Sequence, residues 1–402
     1  MNSMRSRRSC ALGAACVLSV FLGATASAQT RYDPGASATE IKIGQTMPYS
    51  GPVTAAAAIG KAEAAYFNMI NDRGGVNGRK IKFLSLDDSY NPSRTVEQTR
   101  KLVEQEQVLL IFGSLGTANN SVIQRYLNAK QVPHLLIAAI GLRWNDPKNF
   151  PWSMSLAASP LVEMEAFSRY LVRRHPDAKI AVLYQNDDFG KDYVKATKEM
   201  LGDKASTMIV AEASYEVTDP SVDSQIVALK ASGADTFLAF TTPKFGAFSI
   251  RKTHDIGWRP LRFVAFPSTS VATVLTPAGL DKSIGLLAAQ YTKDPMDPAW
   301  KDDAEMRDYV SWMKRYNPDG DVADSLNITG YISAALMVEI LRRCGGDLTR
   351  ANVMRQATSL RDVKIPMLLP GISVTTSPSD YRPIKQTQLR RFDGQRWARV
   401  EE

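Results

Sequence analysis

The chain has 402 residues, of which 44% are hydrophobic and 22% are charged, and its formal net charge is +8. This length favours two lobes or domains, and the ordinary globular composition excludes a disordered chain or a repeat array. Acidic residues are interleaved with the basic ones along the sequence, so we expect no nucleic-acid-binding surface.

The first 28 residues have the features of a secretory signal peptide. Three arginines precede an apolar stretch over residues 10–24, and Ala26-Ser27-Ala28 is a small-x-small cleavage sequence. The apolar stretch is shorter than the roughly 20 residues that span a bilayer, which disfavours an N-terminal membrane anchor. We therefore predict export and cleavage near Ala28, and the sequence leaves open whether the general secretory or the twin-arginine route is used.

Cleavage there would change both the charge and the cysteine content. It removes three arginines and no acid, which lowers the net charge from +8 to +5. It also removes Cys10 and Cys16, and the remaining Cys344 cannot form an internal disulfide. No later apolar segment reaches membrane-spanning length, so we expect an exported, soluble fold that depends on its hydrophobic core.

From Ile41 onward, short apolar strands alternate with amphipathic helices. The pattern predicts strands at 41–46, 81–88, 108–114 and 132–138, separated by helices at 60–72, 91–106 and 119–130. In the last of these helices, the side chains of Val122, Ile123, Tyr126 and Leu127 are expected to face inward. Repeated β-α-β order predicts a doubly wound parallel sheet.

The same order of elements then begins again. Strands are predicted at 179–185, 207–215, 235–241 and 262–267, with helices at 190–201, 221–233 and 246–257. This repetition indicates two similar α/β lobes. Residues 293–364 are predicted to be mainly helical, and residues 385–397 to form a hairpin that turns at Asp393-Gly394.

The sequence offers little support for catalysis or for a metal site. His134, His175 and His254 are not at metal-binding spacing, and His134 lies in a predicted buried strand, where a hydrogen-bonded core histidine is expected. Asp87-Asp88 and Asp187-Asp188 follow strands and could act as acid and base or bind a cation. Such pairs more often bond to loop backbone and cap helices. We therefore predict no enzyme activity, no cofactor and no metal, with an enzyme that uses one acidic pair as the alternative.

The predicted strand ends give a stronger signal, because ligands of open α/β sheets bind beyond the carboxyl ends of the strands. In "GSLGTANNS", Gly113 and Gly116 let the backbone approach a ligand and Thr117 offers a hydroxyl. The helix that begins near Asn119 adds free N–H groups, which suit a carboxylate. A plain turn and helix cap is the alternative for this stretch.

Several segments in a fixed order resemble the branched-chain amino-acid-type (type I) periplasmic substrate-binding proteins of ABC importers. They are "YSGP", "GGVNGRKI", "LDDSYNP", "GSLGTANN", "KIAVLYQNDDFGKDY" and "NITGYISAALMVEIL". The resemblance covers the mature chain from about Thr39. It implies two α/β lobes with doubly wound parallel sheets, a three-strand hinge, and a periplasmic monomer that delivers a small-molecule ligand to an ABC permease in the inner membrane.

The resemblance also implies where the lobes meet. Chain crossings are expected near 155–159, 289–293 and 366–375. The first lobe would then hold residues 38–156 and 293–365, and the second lobe residues 157–292 and 366–402.

By the same resemblance, certain residues are expected to contact the ligand. Gly116 and Thr117 match the group that receives a carboxylate, Phe189 matches an aromatic lid, and a partner for an ammonium group is expected near Pro267. The full predicted set is Tyr49, Ser50, Gly116, Thr117, Ala139, Ile140, Gly141, Leu142, Phe189, Thr242, Pro267 and Ser268.

The sequence departs from the family pattern by lacking polar, aromatic and acidic side chains at the expected ligand site. Residues 55–58 are four alanines where a polar or aromatic side chain is usual, and residues 266–269 contain no acid to receive an ammonium group. An unpaired buried ammonium would cost roughly 3–5 kcal/mol. We therefore favour a carboxylate ligand without an α-amino group, an aromatic or aliphatic acid. The alternative ligand is an apolar amino acid, and the alternative explanation of the departures is sequence drift in a receptor with a relaxed pocket. The alternative function is a sensor subunit for a receptor kinase.

Overall fold

A computed structural model describes Met1 and residues 31–401 of the chain. The predicted signal peptide and its cleavage site, with Cys10 and Cys16, lie outside these described residues. The strands are β1 (Arg31–Tyr32), β2 (Glu40–Met47), β3 (Lys80–Asp87), β4 (Leu110–Phe112), β5 (His134–Ile137), β6 (Ser153–Ser155), β7 (Ile180–Gln185), β8 (Ile209–Tyr215), β9 (Thr236–Phe240), β10 (Leu261–Val264), β11 (Leu287–Gln290), β12 (Asp347–Leu348), β13 (Gln388–Phe392) and β14 (Trp397–Arg399).

Helices connect these strands and cover both sheet faces. They are α1 (Ala57–Asp72), α2 (Pro92–Arg100), α3 (Thr117–Ala129), α4 (Pro160–Arg174), α5 (Asp188–Leu201), α6 (Ala205–Met208), α7 (Asp223–Ala231), α8 (Pro243–Asp255), α9 (Thr276–Ala278), α10 (Leu280–Ser283), α11 (Ala304–Tyr316), α12 (Ser325–Cys344) and α13 (Arg350–Ala357). None of the helices in residues 31–401 is both long enough and apolar enough to cross a bilayer.

Two parallel sheets organise the chain. The first has the strand order β3-β2-β4-β5-β6, and Ile43 of β2 pairs with Phe83 of β3 and Leu110 of β4. The second has the order β14-β13-β11-β10-β9-β7-β8, in which β13 and β14 form an antiparallel edge. We call the first sheet with α1–α3 and α11–α13 the first lobe, and the second sheet with α4–α10 the second lobe.

Buried apolar side chains on the strands and helices hold each lobe together. β4 and β5 are buried along their whole length, as expected for parallel strands covered on both faces. In the first lobe, α12 packs closely on α1. A Cβ atom at Gly330 would lie 2.4 Å from the carbonyl oxygen of Ile59, so glycine is what permits this approach.

The predicted alternation of strands and helices is confirmed, but several details differ. Val122 of α3 was predicted to face inward but is 49% exposed, whereas Ile123 and Leu127 are buried as predicted. The predicted helix over 91–106 is α-helical only to Arg100 and continues as a π-helical turn over 101–105. The sequence pattern missed the three-residue strand β6, the helix α4 and the strand β11.

The C-terminal hairpin is confirmed, and contacts of residues 367–384 favour a third crossing later in the chain than predicted. β13 pairs with β14 around Asp393 and Gly394. Residues 367–384 stay with the first lobe: Val374 pairs with Val363, and the N–H of Tyr381 donates to Asn145 Oδ1 at 2.8 Å. We therefore propose that the third crossing lies at 385–387 rather than at 366–375. The other predicted boundaries stay a prediction.

The histidines occupy structural positions. His134 Nε2 lies 2.8 Å from Asn120 Oδ1, and burial lowers the pKa of His134 to about 3, so this core histidine is neutral. His175 lies at the C-terminal end of α4, and His254 lies in α8 beside Asp255. Among the described residues, no group of three His, Cys, Asp or Glu side chains is arranged to hold a metal ion.

Candidate functional site

A cavity lies between the lobes, where the carboxyl ends of both parallel sheets face each other. It encloses about 1010 Å³ of empty space when its open mouth is included. This position is the one expected for ligands of open α/β sheets. Its lining consists of Pro52, Val53, Ala55, Ala56, Ile59, Tyr90, Leu115, Gly116, Thr117, Ala138, Ala139, Ile140, Ala157, Phe189, Thr242, Pro243, Lys244, Phe245, Phe266, Pro267, Tyr291, Leu326 and Thr329.

Seven of the twelve residues predicted from the sequence line this cavity. They lie in loops or helix starts that follow strands of both lobes, where ligands of open α/β sheets are expected. Ala55 and Ala56 also line it, so two of the four consecutive alanines leave space in the wall. The seven are Gly116, Thr117, Ala139, Ile140, Phe189, Thr242 and Pro267.

Tyr49 and Ser50 of the predicted set lie outside the lining, because both side chains bond to residues of β3. The hydroxyl of Tyr49 lies 2.6 Å from Ser85 Oγ, and Ser50 donates to Asp87 Oδ2 at 2.6 Å. Neither residue is part of the lining. We therefore leave both out of the proposed site.

Three further predicted residues also lie outside the lining. Gly141 and Leu142 are turned toward α5, and the N–H of Leu142 donates to Asp192 Oδ2 at 2.8 Å. Ser268 is fully buried and donates to the carbonyl oxygen of Thr241 at 2.7 Å. These bonds occupy the groups that were expected to meet a ligand.

Thr117 lines the cavity, but its hydroxyl is already used. It donates to the carbonyl oxygen of Ile140 at 2.8 Å, and the residue is only 2% exposed. The preceding Gly116 has φ 99°, and no side chain caps α3. Backbone N–H groups at the start of α3, rather than the Thr117 hydroxyl, are therefore the groups left to receive an anion from the first lobe.

The second lobe presents a comparable helix start. α8 follows Thr242 and begins at Pro243, and no side chain caps it. Lys244 lies in its first turn, with Nζ 3.2 Å from the carbonyl oxygen of Asp219 and 4.8 Å from the ring centre of Phe245. A lysine next to a helix N-terminus adds to the positive end of the helix dipole. This part of the cavity therefore favours an anion.

No aspartate or glutamate is part of the described lining. Glu163 of α4 lies outside the lining but contacts the lining residue Phe266. Its carboxylate accepts from the N–H of Phe266 at 3.1 Å and from the hydroxyl of Tyr193 at 2.6 Å. Burial raises the pKa of Glu163 to about 8, so the group is mostly neutral at pH 7. It supports the wall, where the rings of Phe266 and Tyr291 stack with centres 4.2 Å apart.

One aspartate of each acidic pair bonds to loop backbone or caps a helix, as the commoner interpretation of such pairs predicts. Asp187 caps α5, because its Oδ1 accepts from the N–H groups of Phe189 and Gly190 at 3.0 and 3.3 Å. Burial would raise the pKa of Asp87, but hydrogen bonds from Ser50 and Ser89 outweigh it and lower that pKa to about 2. These carboxylates fix loops at the edge of the cavity.

Side chains from the two lobes meet at the rim of the cavity. Ser121 of α3 donates to Asp188 Oδ2 of α5 at 2.8 Å. The guanidinium of Arg143 lies 3.7 Å from the same carboxylate oxygen. The hydroxyl of Tyr90 accepts from Gln185 Nε2 at 3.4 Å. The structure therefore has the lobes in contact around the cavity.

The lining also contains residues that the sequence patterns did not indicate. Leu326 and Thr329 come from the first turns of α12, far along the chain from the other first-lobe contacts. Tyr90 follows the acidic pair after β3, and Tyr291 follows β11 at a predicted crossing. The segments were part of the recognised pattern, but nothing in the spacing indicated that these side chains reach a ligand site.

Comparison with known proteins agrees with this architecture. The chain is 24% identical over 343 residues to the Leu/Ile/Val-binding protein homolog 7 of Brucella abortus (strain 2308), which covers 82% of this chain and 83% of the relative. It is similar to the structure of a branched-chain amino acid ABC transporter protein from Thermus thermophilus with bound valine. That likeness has a TM-score of 0.81 and 18% identity, and covers 90% of this chain and 96% of the other.

The chain is also similar to a solved structure whose name gives a different class of ligand. That structure is a fatty acid ABC transporter substrate-binding protein from Thermomonospora curvata, with a TM-score of 0.75 and 20% identity over 92% of this chain and 94% of the other. The sequence model of the family described as periplasmic binding protein matches residues 40–396. The chain therefore belongs to the periplasmic binding protein family.

Proposed function

We propose that this protein is the periplasmic receptor of an ABC importer that captures a small organic acid and delivers it to the permease. The favoured ligands are aromatic or aliphatic carboxylates without an α-amino group. The observation that carries this proposal is the chemistry of the cavity wall. The wall is mainly apolar, has uncapped helix starts on both lobes and Lys244 near one of them, and includes no acid among its described residues.

The absence of Asp and Glu from the described lining supports an organic acid over a zwitterionic amino acid as the ligand. A zwitterionic amino acid needs an acceptor for its ammonium group, and an unpaired buried charge costs roughly 3–5 kcal/mol. Glu163 is the acid behind this part of the wall, and its carboxylate is already bonded to Phe266 and Tyr193. A carboxylate, in contrast, meets the positive ends of α3 and α8.

An apolar amino acid is the second candidate. The names of the Brucella relative and of the valine-bound Thermus structure favour it. The name of the Thermomonospora structure shows that a protein of this fold can be associated with fatty acids. A sensor that docks on a receptor kinase would use the same cavity, and its test is a pull-down with the permease against one with the kinase.

The direct test uses three ligands that share one apolar body. Leucine carries both charges, 4-methylpentanoate lacks the ammonium group, and 3-methylbutylamine lacks the carboxylate. We expect isothermal titration calorimetry to rank 4-methylpentanoate first and the amine last. Matched 3-phenylpropanoate and phenylalanine repeat the comparison for an aromatic body. Tighter binding of leucine and phenylalanine than of their acids would favour the amino-acid function, and binding of none of them would contradict the proposal.

A further inference from the structure

Tyr90 lies in a backbone conformation that tyrosine seldom adopts. In the loop between β3 and α2, Ser89 has φ 53° and Tyr90 has φ 57°, both in the left-handed region. The acidic pair holds this loop: the N–H of Ser89 donates to Asp87 Oδ1, and that of Tyr90 to Asp88 Oδ1, each at 3.0 Å. Non-glycine residues are kept in such conformations mainly at ligand sites and switches.

The ring of Tyr90 is fitted against the start of α3. A Cβ atom at Gly116 would lie 2.7 Å from Tyr90 Cε2, so the glycine leaves space for the ring. Tyr90 itself lines the cavity. The loop conformation and the glycine together bring a phenol to the boundary between the two lobes.

The hydrogen bonds of Gln185 determine whether the Tyr90 hydroxyl acts as a donor or an acceptor toward it. Its Nε2 donates to Asp187 Oδ2 at 2.6 Å, and its Oε1 accepts from Thr242 Oγ1 and from the hydroxyl of Tyr215, each at 3.2 Å. The amide therefore turns its nitrogen toward Tyr90, whose oxygen accepts at 3.4 Å. Among the described residues, no acceptor is recorded for the phenolic proton of Tyr90, which stays free to donate.

Burial, followed by the charge of Asp187, raises the pKa of the Tyr90 phenol. The hydroxyl is therefore protonated throughout the neutral range. Thr242, which bonds to the same amide, also lines the cavity. The free phenolic proton thus lies beside a wall that an anionic ligand would contact from both lobes.

We propose that Tyr90 is a ligand-binding residue that determines specificity, because its hydroxyl donates a hydrogen bond to a carboxylate oxygen of the ligand. The same hydroxyl accepts from Gln185 of the second lobe, so ligand and lobe contact share one group. This inference rests on the proposed function, since it requires a ligand with a carboxylate.

The test compares Tyr90→Phe with Tyr49→Phe. Both substitutions remove one phenolic hydroxyl from the first lobe, but Tyr49 bonds to Ser85 outside the cavity lining. Each variant is titrated with 4-methylpentanoate and with 4-methylpentanamide, which has the same shape without the charge. We expect Tyr90→Phe to weaken binding of the acid roughly 10- to 100-fold, as for loss of a bond to a charged group, and binding of the amide much less. Tyr49→Phe should stay within about twofold of the wild type.

A second readout works in the folded wild type. Because the acid has no chromophore, any change in the tyrosine absorption band on binding comes from the protein. This change should persist in Tyr49→Phe and become smaller in Tyr90→Phe, where only Tyr291 remains as a tyrosine of the lining. Equal affinity of Tyr90→Phe and wild type for the acid would overturn the inference. So would equal losses for acid and amide, since these would assign the hydroxyl to lobe contact alone. If the wild type and Tyr49→Phe bind neither compound, the proposed function itself fails.

Discussion

Asp188 of the second lobe and Ser121 of the first lobe share a hydrogen bond of 2.8 Å across the rim of the cavity. The carboxylate of Asp188 also lies 3.7 Å from the guanidinium of Arg143. Asp188 begins α5 and Ser121 lies in α3, so this bond joins helices of different lobes. Since the family resemblance implies a hinge between the lobes, we expect the bond to form only when they are closed and to affect an open–closed equilibrium on which ligand affinity depends.

Replacing Asp188 with Ala should shift this equilibrium toward the open form. Because the ion pair is partly exposed, we expect a loss of only about 1 kcal/mol, or about fivefold in apparent affinity. Calorimetry gives the affinity, and small-angle X-ray scattering of the unliganded protein should give a larger radius of gyration. Asp203→Ala is the control, since Asp203 is an exposed acid of the same lobe in the turn after α5. An unchanged radius together with unchanged affinity would argue against a role for Asp188 in closure.

Thr117→Val tests what the Thr117 hydroxyl does. The structure has it donating to the carbonyl oxygen of Ile140, so its loss should lower the free energy of unfolding by about 1 kcal/mol and loosen the loop that follows β5. Affinity should fall with it, and Thr117→Ser should restore both. Chemical denaturation and ligand titration measure the two quantities. A valine variant with full stability but weakened binding would instead place the hydroxyl on the ligand.

Much of the fold could be predicted because it depends on local patterns. The strands of both lobes are apolar runs between helices with a regular inward face, and this alternation needs no knowledge of tertiary contacts. β6 could not be found this way, since Ser153-Met154-Ser155 carries no strand pattern and is a strand only because it pairs with β5. The later third crossing that we propose could not be predicted, because it depends on tertiary contacts of residues 367–384 with the first lobe, such as the bond from the N–H of Tyr381 to Asn145 Oδ1.

The residues of the candidate site likewise include some that local sequence patterns indicate and some that only tertiary contacts explain. Gly116, Phe189 and Thr242 were found because they follow strands, and the topology brings strand ends together. Tyr49 lies outside the lining because its hydroxyl bonds to Ser85 on the neighbouring strand, a contact that the sequence alone does not indicate. Tyr90 was missed because two unusual backbone angles bring its ring to the cavity, and no sequence period encodes them.

Gly116→Ala should damage the site more than the fold. A methyl group there would meet the Tyr90 ring at 2.7 Å, and φ 99° is unfavourable for alanine. Gly78→Ala is the matched control, because it has φ 80° but nothing within 4 Å of the added atom. Both variants should lose roughly 1 kcal/mol of stability from backbone strain, whereas only Gly116→Ala should bind ligand at least about tenfold more weakly.

The two measurements are thermal or chemical unfolding and ligand titration on the same preparations. Equal affinities of the two variants would mean that the Tyr90 ring can move aside without consequence for binding. Loss of stability in Gly116→Ala far beyond the control would mean that the ring contact serves the fold.

Glu163 gives a prediction about pH, since burial raises its pKa to about 8 from an ordinary value of 4.5. The folded state therefore holds a proton that the unfolded state has lost between these two pH values. Stability from this group is complete below about pH 4.5, falls as pH rises toward about 8, and is constant above. The slope approaches about 1.4 kcal/mol per pH unit in the middle of this range.

Glu163→Gln should remove this slope, because glutamine keeps the neutral shape without a proton to lose. Glu63 of α1 has a pKa raised by burial in the same way, to about 8, so the wild type combines both contributions and the informative quantity is the difference between variant and wild type. Glu165→Gln is the control on the same helix, with a side chain that is 59% exposed. Urea denaturation between pH 5 and 8 should show the variant gaining on the wild type as pH rises, while the control follows the wild type. Parallel curves for all three proteins would mean that Glu163 is ionised in the folded state and that its bonds to Tyr193 and Phe266 stabilise the charge.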